Sequence, residues 1–524
     1  MSTWISPLGR RIRAASLGAG SRGLKLALIS VLLAAPVGAQ PVPVGADFQA
    51  NTYTTGAQRG PSVSMNDAGA FVAVWTSAGS SGTDRDDTSI LGQRFAPDGT
   101  PVGTEFQVNT YTTIHAYQAA IAAAETGAFL VTWNGGRSDG SGRSIQARYF
   151  GADGEASGDQ FQVNSYTTGK QSYPSVAAGP GTGFVVVWQT EASSDLDPPH
   201  SEIRGRRFDA DGSAIGPDFA VNAFTTANQR VPSVAASAGN GFVVVWDSDL
   251  ARGTDTDGYS VHGQRFRANA TALGTEFQIN TYTTGVQDSP AVAIDDDGVF
   301  AVVWTNAVPR ATNPRGADIA AQRFAADGSV AGTEFRVNSY TTDGQDTASI
   351  AVAPRGGFVV AWRSFGSTGS DDSYISVQAQ RITAEGRRVG GELQVNSYTT
   401  DAQRSPSVAA AQPDEFVVVW TGYGSTGTDT RVGSIQGRRL RDTDPPQVCG
   451  DPVDPTPPGA GQGSAGVLAV SDSLAILQAS VGIFTCAPCV CDVDSSGTVA
   501  PSDALIVLRE VVGIPVRLAC PACT

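Results

Sequence analysis

A loop near the end of the chain carries oxygen-bearing residues at the spacing of a calcium site. Counted from Asp492, such residues stand at positions 1, 3, 5, 7 and 12, and Gly497 at position 6 permits a sharp turn. Calcium is bound by carboxylate, hydroxyl and backbone carbonyl oxygens in this order. The sequence therefore predicts a Ca²⁺ site, in preference to a solvated turn, with these ligands: Asp492, Asp494, Ser496, Asp503 and the carbonyl of Thr498.

The calcium loop belongs to a duplicated segment. Residues 471–477 match residues 502–508 at an offset of 31, and apolar residues of the second copy share one face of a helix. The loop and the duplication resemble a dockerin type I domain, which is EF-hand-like. The resemblance implies a helical, calcium-folded module over 466–524, or from as early as 447, and a cohesin-like partner. The first copy departs from the pattern, because Gly461, Gly463 and Ala465 stand where its calcium ligands would be.

All six cysteines lie at or after Cys449, in the same part of the chain. The pairs Cys486/Cys489 and Cys520/Cys523 have the spacing of a four-thiolate zinc site. Export to an oxidising compartment favours three disulfide bonds instead, in a pairing that the sequence leaves open. The Pro- and Gly-rich residues 444–465 that come before the module predict a linker.

The first 39 residues are typical of a secretory signal peptide. Five basic residues precede or flank the short apolar run Leu26 to Ala35, and small residues end at Ala39. The run is shorter than the ~20 residues of a spanning helix, so we expect no membrane span in the mature chain. The mature chain carries 30 basic against 50 acidic residues, which excludes nucleic-acid binding. The sequence thus predicts a protein that is secreted, extracellular or at the cell surface.

Between these ends one motif recurs seven times. A representative copy is EFQVNTYTT at 105–113, and its aligned positions are 55 or 58 residues apart: Phe48, Phe106, Phe161, Phe219, Phe277, Phe335 and Leu393. This period is near that of a β-propeller blade, which consists of four strands. In the third copy the predicted strands cover 172–178, 183–188, 202–208 and 218–222.

The residue types suit four strands at increasing distance from a central axis. Small residues fit the crowded first strand, and the Val-rich second strand suits a sheet covered on both faces. One tryptophan closes each second strand, and we interpret it as a packing anchor. The last unit lacks an outer strand, which the N-terminal strand 47–51 can supply. The sequence predicts an all-β, seven-bladed propeller over 44–443, closed by the N-terminal strand.

The propeller units resemble a repeat of large exported bacterial proteins. The matching pattern runs from EFQVNTYTT through PSVA and GFVVVW to QRF and DG. The resemblance covers nearly all of the propeller. It implies a surface or extracellular protein but no single activity.

Motifs of catalysis are absent from the propeller sequence. His115, His200 and His262 lie in different units, and no nucleophile elbow, zinc-protease, phosphate-loop or dinucleotide motif occurs. The Asp- and Gly-rich loops after each tryptophan are interpreted as solvated turns on one rim, in preference to calcium sites. That rim is the expected recognition surface. The acidic run 295–297 is interpreted as a turn.

The leading prediction is an exported, non-enzymatic binding or adhesion protein. In it the propeller rim recognises a glycan or a protein, and the dockerin-like tail gives calcium-dependent tethering. The alternative is an extracellular polysaccharide-acting hydrolase that carries the tail as a targeting module. The alternative needs two or more carboxylates from different blades to converge at the channel. A purely structural matrix protein is a third hypothesis.

Overall fold

The computed structural model describes residues 40–442, apart from 81, 83–87, 113–114, 137–141, 180–182, 192–199, 238, 240, 250–253, 256–257, 308–315, 354–355, 368, 372–374, 412–414, 425–426 and 430–432. The predicted signal peptide lies outside the described residues. So do the linker and the predicted calcium module with its five ligands.

The described chain folds into seven antiparallel sheets of four strands, the blades of a propeller. The inner strands of blades 1 to 7 are Gln58–Met65, Ala116–Ala123, Gln171–Ala178, Gln229–Ser237, Val286–Ile294, Gln345–Val352 and Gln403–Ala411. The second strands are Phe71–Ala78, Phe129–Gly136, Phe184–Glu191, Gly241–Asp249, Phe300–Ala307, Phe358–Phe365 and Glu415–Gly422. The third strands are Thr88–Phe95, Arg143–Phe150, Ser201–Phe208, Tyr259–Phe266, Ala317–Phe324, Ile375–Ile382 and Ser434–Arg441. The outer strands are Pro101–Gln107, Phe161–Gln162, Ala214–Ala220, Ala272–Gln278, Phe335–Arg336, Arg388–Gln394 and, for blade 7, Val42–Gln49.

The predicted ring closure is confirmed. The N-terminal strand Val42–Gln49 pairs antiparallel with Ser434–Arg441 and completes the seventh sheet. Each inner strand packs against the inner strands of both neighbouring blades, so the seven surround a central channel. Joining the two ends of the propeller in one sheet leaves no open gap between the first and last blades.

The core lies between the blades and rests on the second strands. Their Val-rich runs are buried on both faces, as the absence of polar alternation predicts. All seven tryptophans are at most 1% exposed, which confirms that they are packing anchors. In five blades the indole N–H donates to a buried glutamine at the start of the inner strand, as from Trp246 to Gln229 at 2.7 Å.

The acidic residue of the repeated motif joins adjacent blades. The Glu105 carboxylate, in the outer strand of blade 1, accepts the backbone N–H of Thr52 at 2.7 Å, at the crossing that arrives from blade 7. Asp47 accepts the N–H of Ser397 in the same way at 2.8 Å and thereby closes the ring. The equivalent acceptors of the other crossings are Gln160, Asp218, Glu276, Glu334 and Glu392. The motif recurs because every blade junction needs this acceptor.

The asparagine of the motif fixes the other half of each crossing. The Asn109 side-chain oxygen accepts the N–H of Ile90 at 2.8 Å, and its amide donates to the carbonyl of Tyr111 at 2.9 Å. All seven copies make the first of these bonds, at 2.7–2.9 Å. Because these asparagines are buried, losing a bond would leave a backbone group without a partner.

The channel therefore opens at two different faces. The crossing face holds the NTYTT crossings, the starts of the inner strands and the loops that follow the tryptophans. The turn face holds the tight turns from inner to second strand, such as 66–69, and from third to outer strand, such as 96–99. No helix among the described residues has the length and apolar character required to cross a bilayer.

Candidate functional site

Every inner strand is bulged close to its start, at the crossing face. One residue per blade there has a positive φ of 48–58°: Gly60, Gln118, Tyr173, Val231, Ser289, Thr347 and Ser405. The pairing with the second strand shifts register at the same place in all seven blades. Left-handed backbone at a non-glycine residue is strained, and bulges of this kind re-aim side chains next to functional sites.

The residue just before each bulge differs from blade to blade. These residues form a ring around the mouth of the channel: Arg59, Tyr117, Ser172, Arg230, Asp288, Asp346 and Arg404. Acidic residues belong to blades 5 and 6, whereas arginines belong to blades 1, 4 and 7. A repeated backbone thus presents seven positions, and the side chains at them are arranged asymmetrically.

Blade 4 contributes a buried ion pair behind this ring. Arg230 Nε donates to Asp247 Oδ1 at 3.1 Å, and the guanidinium lies 3.8 Å from the centre of the Tyr259 ring. The backbone N–H of Ser289, at the bulge of blade 5, faces Asp247 Oδ2 at 3.4 Å. Asp247 is only 1% exposed, so it lies behind the mouth and connects blade 4 to the bulge of blade 5.

Blades 5 and 6 contribute two carboxylates that are closer to the solvent. Asp288 is half-buried, and its cross-strand neighbour is Thr305, so blade 5 places no cation opposite it. Asp346 is also half-buried and accepts a hydrogen bond from Arg363 Nε at 2.6 Å. A second contact joins Arg363 Nη2 to Asp346 Oδ2, which makes the pair bidentate and fixes the carboxylate plane.

The pKa shifts show that these carboxylates influence one another. Burial raises the pKa of Asp247 to about 6, with Asp288 adding to the rise and Arg230 opposing it. Burial also raises the pKa of Asp288. The Ser289 hydroxyl and Arg230 oppose this rise, whereas Asp346 adds to it. Burial alone would lower the pKa of Arg230, but Asp247 and Tyr259 raise it, so Arg230 stays charged. Carboxyls with raised pKa values, next to further carboxylates, are characteristic of acid–base sites.

Aromatic side chains occupy blades 2 and 3, of which blade 3 adjoins the acidic cluster. Tyr173, at the bulge of blade 3, is 41% exposed with a φ of 54°. Tyr117 of blade 2 lies under the guanidinium of Arg143 at 5.0 Å. An exposed tyrosine ring offers an apolar face and a hydroxyl together, and both suit a sugar ring.

Three aspartates of the loops after the tryptophans are buried and structural, so the prediction of solvated turns is wrong for them. Asp255, Asp371 and Asp429 are at most 3% exposed and accept hydrogen bonds from motif asparagines. Within the described part of the chain, no three His, Cys, Asp or Glu side chains form a group that could hold a metal ion. His262 is buried against Ser260 and Glu276, away from His115 and His200.

The acidic run 295–297 lies at the turn face and forms a turn, as expected. Gly298 N–H donates to the Asp295 carbonyl at 3.0 Å, and the Asp295 carboxylate accepts the N–H of Val299 at 2.8 Å. The run, together with Asp67, lines a cavity of about 380 Å³ at that mouth of the channel. Burial raises the pKa of Asp295, but its carboxylate is engaged in the turn.

Sequence reasoning missed the site at the inner strands. It placed recognition in the loops after the tryptophans, which lie on the same face as these inner-strand residues. Aligning the seven repeats would have revealed the position, because six inner strands carry Gln followed by a residue of changing charge. The partnership of Asp247, Asp288 and Asp346 joins three blades and has no signature within any single repeat.

No protein-family model and no curated protein matches the chain. Among solved structures it is similar to an α-L-arabinofuranosidase from Fusarium graminearum, at 13% identity and a TM-score of 0.42, over 76% of this chain and 98% of that one. It is also similar to an α-L-arabinanase from Penicillium chrysogenum, at 14% identity and a TM-score of 0.41, over 78% and 99%. A polysaccharide lyase, Uly1, matches at 7% identity and a TM-score of 0.42, over 78% and 100%. At these identities and scores the likeness shows the fold alone.

The prediction of a non-enzymatic binding or adhesion protein is wrong. The carboxylates that the alternative requires come from three consecutive blades and lie near one another at the crossing face. The physical reason for the error is that packing of neighbouring blades brings together carboxylates from strands that are far apart in the sequence, and no motif marks them.

Proposed function

We propose that the chain is an extracellular hydrolase of a polysaccharide, with its site at the crossing-face mouth of the channel. The observation that carries the proposal is the set of carboxylates on three consecutive blades. Two of them, Asp247 and Asp288, have raised pKa values, and Asp346 is oriented by Arg363. Glycosidic bonds are cleaved by two carboxyl groups, one of which is protonated at the working pH.

Asp288 is the candidate general acid. It is half-buried and reachable, and its raised pKa keeps a proton available for the oxygen of the leaving sugar. Asp346 is the candidate base or nucleophile, since the bidentate contact with Arg363 fixes the direction of its carboxylate oxygens. Which of these two roles it takes decides whether the anomeric configuration is inverted or retained.

Asp247 is a positioning residue, because it is too deeply buried to touch a substrate. It receives Arg230 on one oxygen and faces the Ser289 N–H with the other. Ser289 directly follows Asp288, so Asp247 holds the bulge that presents the candidate acid. Arg230 in turn is held against Tyr259, which limits the movement of the ion pair.

The test is hydrolysis of a panel of neutral and uronate-containing polysaccharides by the secreted chain, followed as release of new reducing ends. We expect cleavage of at least one polymer by the wild type and a loss of about 10²–10⁴-fold in Asp288→Asn and Asp346→Asn. The matched control is Asp297→Asn, an exposed aspartate of the turn face. A wild-type protein inactive on the whole panel, or Asn variants as active as the wild type, would sink the proposal.

We further propose that the tail holds Ca²⁺ through Asp492, Asp494, Ser496, Thr498 and Asp503 and tethers the enzyme near its substrate. The support is the ligand spacing of the loop and the resemblance to dockerins, which also suggests a cohesin-like surface protein as partner. Calorimetric titration of Ca²⁺ into the chelator-treated protein should show binding that Asp494→Ala abolishes. Equal heats in the two proteins would remove this part of the proposal.

A further inference from the structure

The ring at the crossing-face mouth has a basic side, on blades 7 and 1, in addition to its acidic side on blades 5 and 6. Arg404 of blade 7 and Arg59 of blade 1 occupy equivalent positions on adjacent inner strands. Neither forms a hydrogen bond or an ion pair with an acidic side chain among the residues that the structure describes. The chain as a whole has a net charge of −15, and these two arginines form the basic side of the ring.

The Arg404 side chain is held in place, but one of its hydrogen-bond donors has no partner among the described residues. Its guanidinium lies 5.4 Å from the centre of the Tyr423 ring, which fixes its direction. Its Nε atom is buried and has no hydrogen-bond partner within the described part of the chain. The neighbouring Thr421 hydroxyl is already engaged, since it accepts the N–H of Gly60 at 3.0 Å. A buried charged donor without a partner is costly, and an acceptor supplied by a ligand would remove this cost.

The second arginine points to the charge of that ligand. Arg59 is exposed, and it stands at the equivalent position of the next blade, so two positive charges belong to neighbouring strands at one side of the mouth. Like charges held side by side are stabilised when an anion lies between them. Guanidinium groups match the planar, two-oxygen geometry of a carboxylate. The nearest acidic residue of the ring, Asp346 of the adjoining blade 6, is already paired with Arg363, so it leaves Arg404 without an acidic partner.

We propose that Arg59 and Arg404 form a subsite for the carboxylate of a uronic acid, so that the substrate is an acidic polysaccharide. This inference rests on the proposed function for the position of the reacting bond, but the subsite itself is defined by the two arginines. The anionic sugar occupies blades 7 and 1, and the bond to be cleaved lies towards Asp288 and Asp346.

The experiment measures binding separately from cleavage. Calorimetric titration of oligogalacturonate and of a neutral oligosaccharide of matched length uses the full chain carrying Asp288→Asn. We expect oligogalacturonate to bind more tightly than the neutral oligomer, and Arg404→Gln to weaken its binding about tenfold to a hundredfold. Arg59→Gln should weaken it by a smaller factor, because Arg59 is more exposed. Arg404→Lys should recover part of the loss.

The matched control is Arg387→Gln, since Arg387 is an exposed arginine of the turn face. Equal binding of the two oligomers, binding of neither, or an equal loss for both in Arg404→Gln would overturn the subsite. Thermal unfolding of each variant checks that it folds. Hydrolysis of a neutral polymer without uronate binding would refute this inference and leave the proposed function. Uronate binding without hydrolysis of any polymer would support the subsite and refute the proposed function.

Discussion

The two mouths of the channel both carry aspartates, yet they are built differently. At the turn face the acidic run 295–297 forms a tight turn, and the Asp295 carboxylate accepts a hydrogen bond from the N–H of Val299. At the crossing face the acidic residues come from separate blades, and arginines hold two of them, Asp247 and Asp346. The turn face concentrates charge within one segment of chain, whereas the crossing face assembles it from three.

The difference teaches that density of charge along the sequence is a poor guide to a site. A run such as 295–297 is adjacent because a turn needs short polar residues that bond to their own backbone. Asp288 and Asp346 are 58 residues apart in sequence and occupy equivalent positions on neighbouring strands. Chemistry requires oriented groups with perturbed pKa values. Asp295 at the turn face also has a raised pKa, but its carboxylate is engaged within its own turn.

The largest effect that separates the two mouths is catalytic. Asp288→Asn should lower kcat by about 10²–10⁴-fold, because an amide cannot donate the proton that the leaving sugar needs. Asp297→Asn at the turn face should leave kcat within about twofold. Initial rates on the polymer that the wild type cleaves give the comparison. If the turn-face variant loses as much activity as Asp288→Asn, the site has been assigned to the wrong mouth.

The next effect is a dependence of stability on pH. The folded-state pKa of Asp247, about 6, lies above its unfolded value of 3.8, so the folded state binds the proton more tightly. Its contribution to stability is therefore greatest at low pH and falls as the pH rises towards and through 6. Asp247→Asn abolishes this dependence.

Stability measured by chemical denaturation at about pH 4 and pH 7 tests that expectation. Between these pH values the free energy of unfolding of the wild type should fall by up to roughly 3 kcal/mol relative to that of Asp247→Asn. The loss of the Arg230 ion pair in the variant shifts its stability by the same amount at both pH values and does not affect this comparison. At the turn face, burial also raises the pKa of Asp295. The stability of the wild type relative to Asp295→Asn should therefore also fall between these two pH values. Parallel pH curves for the wild type and Asp247→Asn would contradict the burial argument.

A smaller effect tests the structural role of the turn-face acid. Asp295→Ala removes the acceptor of the Val299 N–H and should lower the free energy of unfolding by about 0.5–1.5 kcal/mol. Activity should not change, because the turn face takes no part in the proposed chemistry. Denaturant titration together with the hydrolysis assay measures both quantities. A loss of activity at unchanged stability would point to a function for the turn-face cavity.

The smallest expected effect concerns backbone strain at the crossing face. Thr347 is β-branched and has a φ of 55°, and its hydroxyl donates to Asp346 at 3.1 Å. Thr347→Gly should raise stability by about 1 kcal/mol through relief of the left-handed conformation. It should lower activity because Asp346 is held less firmly. Asp401→Gly relieves similar strain, at a φ of 63°, outside the bulges and serves as the control. Higher activity in Thr347→Gly than in the control would argue against strain that serves the site.

Much of the fold could be predicted from the sequence because it repeats. Seven copies of one motif gave the number of blades, and the Trp at the end of each second strand marked the buried layer. The missing outer strand of the last unit indicated the closure that Val42–Gln49 makes. Strand ends were less accurate, as in blade 3, where the outer strand is Ala214–Ala220 and the prediction was 218–222. That outer strand pairs in two short stretches around a register shift, which the residue pattern does not reveal.

The sequence by itself determined the blade and the junctions between blades, because the hydrogen bonds that build them are repeated within every unit. The asparagine and acidic residue of the motif act locally or on the adjacent crossing, so their role can be read from the repeat. Only the tertiary structure decided which side chains meet at the channel. Asp247, Asp288 and Asp346 converge because blades 4, 5 and 6 pack side by side. Arg404 and Arg59 belong to neighbouring strands only because the last blade packs on the first. Such contacts depend on how whole blades are arranged around an axis, which no single stretch of sequence encodes.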